Sequence, residues 1–418
     1  MDRRSMMLAT AGLTTVAFAT DDAMAQSSPE RRPDQRLGQT FRFSDHDMDL
    51  FFVAALGWGP TGGLDIGQAF YIASQITDGE PDSWVKAFSV YGDAMNAQAA
   101  AWRAHGWTRA GGEARLKAFA AYRSAWQFAG PGDVFASLVR KHKTAFAAAM
   151  TELALPATPF SAPYADKKLP GVFFQNPISD APVVLVIGGA DTCFEDLFLT
   201  IGRNLLDRGY SVALADLPGQ GITQADGLHW EWEAEKPIAA VLDVLIDRFS
   251  AKPGRIALIG LSLGGYFVAR AAGHDARLAT VIASTPFPSP AQLFELSVAA
   301  AMKSGSGPAA APTQAALRSW RTTFWKAGAK TPQELVERTS KMVADPALVT
   351  LPFLSILGSG DSPVFAAQAR DWHRDIRSAR KEFVLLDAAT GADGHVQVNN
   401  RLRLTQEAVG WMDEIFSK

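Results

Sequence analysis

Three residues in this 418-residue chain stand where chemistry can be done: Ser262, Asp361 and His395. A serine hydroxyl is a poor nucleophile at neutral pH, so it needs a base to accept its proton and a third group to orient and stabilise that base. Ser262 is the centre of Gly260-Leu261-Ser262-Leu263-Gly264, inside the run RIALIGLSLGGYFVARAA. This is the spacing of a nucleophile elbow, in which glycines two residues to either side let strand and helix approach around a strained serine. The plain alternative is a strand-to-helix loop that uses Ser262 as a helix cap. Asp361 ends the apolar run LPFLSILGSGD, and His395 lies in ATGADGHVQVNN just past EFVLLDA. Open α/β sheets gather ligands at the carboxyl ends of their strands, and the chain order serine, acid, histidine is the one such sheets use. The chemistry expected is attack by Ser262 on a carbonyl carbon. Asp361 could instead merely cap the following helix. Asp387 and Asp393 are alternative acids, the first inside the preceding strand and the second close to His395 along its loop.

Attack on a carbonyl creates an oxyanion, which needs donors already aimed at the developing charge. The Leu263 N–H, at the start of its helix, is one candidate. The other is expected from the loop after an earlier strand, where VVLVIGGAD delivers Gly188, Gly189 and Ala190; Gly189 and Ala190 are the candidate donors. Asp191 is read as a brace for that loop. Cys193 is read as a small buried hydrophobe, because no histidine or basic residue adjoins it in sequence to activate its thiol.

The elements that must position these residues follow from periodicity. From 46 to 153 the pattern is helical, with apolar residues three and four apart and abundant alanine, and predicts four or five helices. Trp84, Trp102, Trp126, Phe88 and Tyr122 in them are read as packing residues rather than ligand contacts. After Pro156 short apolar runs alternate with helical stretches: LPGVFF, APVVLVIGG, GYSVALADLPGQG, RIALIG and LATVIAST. Such alternation predicts an α/β fold, a doubly wound and mostly parallel sheet. A helical stretch at 287–349 interrupts it before LPFLSILGSGD resumes, and is expected to be a cap over the sheet's carboxyl edge. The expected organisation is a leader at 1–25, a polar linker at 26–40, an amino-terminal helical domain at 41–155, a first core part at 156–286, the cap insertion at 287–349 and a second core part at 350–418.

A formal charge of −3 and the lack of a basic run interleaved with aromatics argue against a nucleic-acid partner. A single cysteine excludes an internal disulfide and multi-cysteine metal sites. With no HExxH, CxxC or phosphate-loop pattern, neither a metal nor another cofactor is expected. The first 25 residues pair Arg3 and Arg4 with an uncharged stretch and Ala23-Met24-Ala25, the layout of a cleaved export signal that is similar to twin-arginine leaders. This predicts a periplasmic protein with no stable membrane insertion of the mature chain.

Taken together, IGGADTCFED, DLPGQG, GLSLGG, the Asp361 loop and GADGHVQVNN resemble the α/β-hydrolase superfamily. GGLDIG, DSWVKAF and ARLKAFAAYRSAWQF extend the likeness to the branch containing dihydropseudooxynicotine hydrolase, fungal polyketide-shortening hydrolases and fermentation-respiration-switch esterases. The resemblance implies a serine hydrolase roofed by helices, cleaving an ester or a carbon–carbon bond beside a ketone. In the latter case an acid or a tyrosine near the cap assists protonation; Glu295 is the candidate acid, weighed against a plain solvated place on its helix surface. The chain departs from the branch in having Val396 where a cysteine often follows the histidine. The reading is an acyl-enzyme hydrolase acting on a carboxylic ester of a mid-sized apolar molecule, with a small-molecule substrate as its partner and a homodimer allowed for. The alternatives are a carbon–carbon hydrolase of ketones or β-diketones, and a binding protein that kept the fold without turnover.

Overall fold

In the computed structural model, residues 35–304 and 312–416 are described; the leader and most of the linker lie outside them. The amino-terminal part forms five helices, α1 (His46–Gly57), α2 (Ile66–Ala73), α3 (Pro81–Ala104), α4 (Thr108–Trp126) and α5 (Asp133–Glu152). Their starts are set locally: the Asp45 carboxylate accepts from the Met48 N–H at the head of α1, and Pro81 opens α3 where its missing donor costs nothing. Close packing of α3 on α4 depends on Gly92, because a Cβ there would stand 2.6 Å from the Tyr122 ring. The Trp84 indole donates to the Ser124 carbonyl at 2.7 Å, tying the same two helices. Trp84, Phe88, Trp126 and Tyr122 are buried as packing residues, whereas Trp102 is only half-buried.

The sheet contains β1 (Ala157–Tyr164), β2 (Lys167–Phe174), β3 (Val183–Ile187), β4 (Ser211–Ala215), β5 (Ile256–Leu261), β6 (Leu278–Ser284), β7 (Phe353–Gly358) and β8 (Lys381–Leu386). Among the described residues its order is β1-β2-β4-β3-β5-β6-β7-β8. β1–β2 and β2–β4 pair antiparallel and every other neighbour is parallel. Strands β3, β4 and β5 are buried along their whole length, as their unbroken apolar runs require of strands covered on both faces. β1 is the strand that periodicity did not reveal. It carries Pro159 and Pro163 and sits at the sheet's edge, where a proline's missing N–H is tolerated.

Around the sheet run α6 (Phe194–Leu197) and α7 (Arg203–Leu206), joined by a wider helical turn, then α8 (Glu235–Phe249) and α9 (Gly264–Ala272). α10 (Pro290–Ser304), α11 (Gln314–Ala327) and α12 (Pro332–Ser340) occupy the insertion between β6 and β7. α13 (Pro363–Asp375) and α14 (Arg401–Ile415) complete the chain. No helix of the described residues is long and apolar enough to cross a membrane.

Register decides where the loops emerge. Gly260 pairs with Ile187 on one side and Ala283 on the other, and Gly358 pairs with Leu386. The loops after β3, β5, β6, β7 and β8 therefore leave from one rim. The stretch read as a linker needs correction at its end. Leu37 is buried, the Arg36 carbonyl accepts from the His395 N–H at 2.9 Å, and the Arg36 guanidinium pairs with Asp47 at 2.8 Å. A polar, proline-bearing composition hides this because a single buried leucine, one backbone contact and one ion pair, rather than a periodic apolar face, fasten the segment.

Candidate active site

Ser262 has φ +58°, the left-handed region that a side chain rarely adopts. The turn is held by hydrogen bonds at 2.7 Å from Ser262 N–H to the Ser284 carbonyl and from Gly265 N–H to the Ser262 carbonyl. The flanking glycines have steric reasons. A Cβ on Gly260 would stand 2.5 Å from Val268 Cγ2, and one on Gly264 would stand 2.6 Å from the Gly188 carbonyl oxygen. At Gly265 it would run into the Thr285 carbonyl. The motif is thus the packing rule for α9 against β5 and the loops on both sides, with the serine lifted at its apex.

The three dispersed residues meet. His395 Nε2 lies 2.8 Å from Ser262 Oγ, and His395 Nδ1 lies 2.7 Å from Asp361 Oδ2. Asp361 also accepts from Thr285 Oγ1 at 3.0 Å and from the Ser362 N–H at 2.8 Å. Both Asp361 and His395 are buried. A carboxylate so supplied with donors fixes the proton of a neutral imidazole on Nδ1 and leaves the Nε2 lone pair for the serine hydroxyl. The His395 loop is itself constrained: Val396 and Gln397 have φ +45° and +51°, and buried Gln397 accepts from Ser284 Oγ at 2.8 Å. Neither Asp387 nor Asp393 makes this contact. Asp387 caps the turn at Ala388–Thr390, and Asp393 accepts from Asn399 at 2.8 Å.

Gly189 stands against the serine, and a Cβ on it would be 2.6 Å from Ser262 Cβ. Buried Gln220 donates through Nε2 to the Gly188 and Gly189 carbonyls at 2.5 and 3.0 Å, turning these carbonyls toward the protein. Among the described residues no acceptor takes the N–H of Ala190 or Leu263, and both residues line the cavity that Ser262 opens into.

That cavity has two lobes, of about 130 and 80 Å³, which share Arg36, Phe51, Asp191 and Ser262. The outer lobe is walled by α1, α10 and α11, through Leu293, Phe294, Ser297 and Trp320. The inner lobe runs under α1, past Leu50, Ala54 and Trp58, and includes His395, Arg123 and Arg401. Asp191 does more than brace its loop. It pairs with buried Lys326 at 2.9 Å, and its backbone carbonyl accepts from Arg123. Burial opposes its charge, but Lys326, Arg36 and Arg123 outweigh that and hold its pKa at about 2. Burial pushes the Asp47 carboxyl up, against the pull of Arg36. Arg123 pairs with Asp196 at 2.5 Å, both buried, and lies 3.8 Å from the Trp126 ring centre. Sequence reading missed Arg36, Asp47, Arg123, Lys326 and Arg401. The one available signal was a lone arginine in the otherwise apolar AFAAYRSAWQFAG, since a charge on a buried helix face demands a partner.

Glu295 is not brought to the site. It is exposed on the outer side of α10, in a shallow groove against α12, while Leu293, Phe294 and Ser297 turn inward. Its position next to Phe294 rotates it about 100° around the helix, which carries it off the cavity face. Cys193 is buried and its thiol is pushed up by burial and by Asp196 and Glu195, so it is no nucleophile. It lies with His142 and Glu195 in a buried group whose ligand atoms fall within 4.8 Å of one another. The Trp126 indole, a donor only, points at His142 Nδ1 at 3.1 Å, which places the imidazole proton on Nε2, facing Glu195 at 3.7 Å. With Nδ1 taken by the Trp126 donor, Nε2 and Glu195 form a buried charge contact longer than a hydrogen bond.

Comparison with known proteins agrees with this architecture. Residues 183–413 match the model of the alpha/beta hydrolase family. The chain is 28% identical over 260 residues to the hydrolyase poxO of Penicillium oxalicum, a match spanning 59% of this chain and only 62% of that protein. It is 29% identical over 301 residues to the 20-hydroxy-prefusarin hydrolase FUS2 of Gibberella moniliformis, covering 68% of this chain and 67% of the relative. Among solved structures, the fold is similar to that of 2,6-dihydroxy-pseudo-oxynicotine hydrolase, with a TM-score of 0.68, 18% identity and coverage of 86% of this chain and 96% of that one. AbyA5 matches with a TM-score of 0.58 at 17% identity, covering 83% of this chain and 93% of that one. With a family match over more than half its length and a mostly parallel eight-stranded sheet among the described residues, this chain belongs to the α/β-hydrolase family.

Proposed function

We propose that the protein is a serine hydrolase that cleaves a carboxylic ester of a mid-sized, largely apolar molecule through an acyl-enzyme on Ser262. The observation that carries this reading is the unbroken chain Ser262 Oγ, His395 Nε2, His395 Nδ1, Asp361 Oδ2, with links of 2.8 and 2.7 Å. In the proposed reaction His395 takes the hydroxyl proton as Ser262 attacks the ester carbonyl. The oxyanion is received by the N–H groups of Leu263 and of Gly189 or Ala190. His395 then hands its proton to the departing alcohol, and water, activated by the same imidazole, releases the acid. Asp361 keeps the ring in register and stabilises the imidazolium. The apolar linings of both lobes, from Phe51, Trp58, Phe294 and Trp320, favour a hydrophobic substrate body.

A second reading, cleavage of a carbon–carbon bond beside a ketone, is favoured by Asp47. It lines the cavity that Ser262 opens into, and burial raises its pKa against the pull of its partner Arg36, the direction an acid donor to such a leaving carbanion requires. Matched aryl esters and β-diketones of equal size distinguish the two. The common core is tested with Ser262→Ala, which is expected to remain folded while losing both turnover and labelling by a fluorophosphonate. Labelling retained at another residue overturns the assignment.

A further inference from the structure

We infer that the inner lobe beside Ser262 is a subsite for an anionic oxygen group of the substrate, with the Arg401 guanidinium as its binding group. The inference rests on the hydrolytic reading above and narrows its substrate class.

Arg401 opens α14 and is only 7% exposed. Its Nη1 donates to the Val396 carbonyl at 2.9 Å, while its Nε is buried with no acceptor. Every other charged side chain around the cavity has a partner of opposite sign: Arg36 has Asp47, Lys326 has Asp191, and Arg123 has Asp196. Among the described residues no carboxylate lies within ion-pair distance of Arg401. Burial, against the pull of Asp196, lowers its pKa to about 10, so at neutral pH it remains a cation. An uncompensated buried cation is costly, and one carried at the positive end of a helix costs more still. The Val396 contact accounts for one donor but not for the missing counter-charge. A ligand anion does, because it would complete the pairing and would also meet the α14 N-terminus.

The rest of the lobe says what the anion is attached to. Leu50, Phe51, Ala54, Trp58 and Val398 wall the space between Ser262 and Arg401. A short apolar arm ending in an acidic oxygen fits it. A planar guanidinium matches a carboxylate or the ionised enol of a β-diketone, which is a vinylogous carboxylate, far better than a neutral carbonyl. Holding the Val396 carbonyl is a structural duty that uses one of five donors, and the experiment below separates that duty from binding.

The test uses the full chain and isosteric probe pairs, corrected for spontaneous hydrolysis. One pair is the para-nitrophenyl monoester of glutaric acid and its neutral methyl diester. A second pair carries the acid on the leaving side, as acetoxybenzoate and its methyl ester. A third compares inhibition by an enolisable β-diketone with that by its gem-dimethylated, non-enolisable analogue. The acidic member of at least one pair is expected to be preferred in kcat/KM or inhibition by about tenfold or more, the discrimination of one charge-assisted contact. Arg401→Gln is expected to collapse that ratio and Arg401→Lys to keep part of it. A merely structural arginine slows both members together and leaves the ratio unmoved. No preference in the wild type, or one that survives Arg401→Gln, overturns the inference. Should the variant not fold, competition in the wild type decides: glutarate inhibiting no better than glutaramide overturns it equally. If Ser262 is not labelled and no ester is turned over, the hydrolytic reading has failed, and calorimetry of glutarate on Ser262→Ala against the Ser262→Ala, Arg401→Lys double variant still judges the subsite.

Discussion

Gly189 and Ser262 are packed so closely that a methyl group on the glycine would stand 2.6 Å from Ser262 Cβ and 3.1 Å from its Oγ. The loop carrying one proposed oxyanion donor and the turn carrying the proposed nucleophile are thus a single steric unit, although 73 residues separate them in sequence. Gly189→Ala is expected to displace the hydroxyl from His395 and to lower kcat/KM by about 100-fold, the cost of a misplacement on the order of 1 Å. The matching control is thermal denaturation, in which the melting point should move far less than the rate. A variant with unchanged kinetics would separate the loop from the reaction.

The imidazole tautomer depends on Asp361 being a carboxylate, because Thr285 Oγ1 and the Ser362 N–H already donate to it. Asp361→Asn keeps the shape but offers an amide, which drives the ring toward the tautomer with its proton on Nε2. That proton opposes acceptance of the serine hydroxyl. The expected loss in kcat is about 10⁴-fold with little change in KM. Steady-state kinetics with a para-nitrophenyl ester measures it, and a loss smaller than about tenfold would move the acid role elsewhere.

Asp191 predicts how stability responds to acid. Its pKa is lowered from 3.8 to about 2, so the unfolded chain takes up the proton first as pH falls. Its contribution, about 2 kcal/mol at most, is present above pH ~4 and is lost as pH drops through about 2. Lys326→Met removes its nearest cation and lets the carboxyl rise toward its ordinary value. Urea unfolding from acidic to neutral pH should then show lower stability at neutrality and a flatter slope below pH ~4, by up to about 1.4 kcal/mol per pH unit. An unchanged slope would assign the ion pair no energetic role.

Much of the site could be read from the chain because its chemistry is written in local steric rules. Gly260, Gly264 and Gly265 each sit where a side chain would strike a neighbouring backbone or side chain, so the motif reports a packing constraint whose apex is Ser262. Asp361 and His395 were placed by their positions after strand-like runs, and parallel register then brings such positions to one rim. Glu295 stayed open between cap acid and solvated helix residue because a helical period places a residue on a face without saying which face looks inward, and its exposure agrees with the solvated reading. Arg36 was set aside with a polar stretch whose attachment is one buried leucine, a carbonyl contact and an ion pair.

What the sequence determined by itself is the order of elements and the identity of the reacting groups, since both follow from period, turn chemistry and spacing within short windows. Tertiary structure alone decided which charges face the cavity and which of them find partners. Lys326 reaches Asp191 from 135 residues away, Arg123 reaches Asp196 across 73, and Arg401 reaches no carboxylate among the described residues. Electrostatic pairing acts through space over a few ångströms, and nothing in a linear order of residues encodes which distant side chains will come that close.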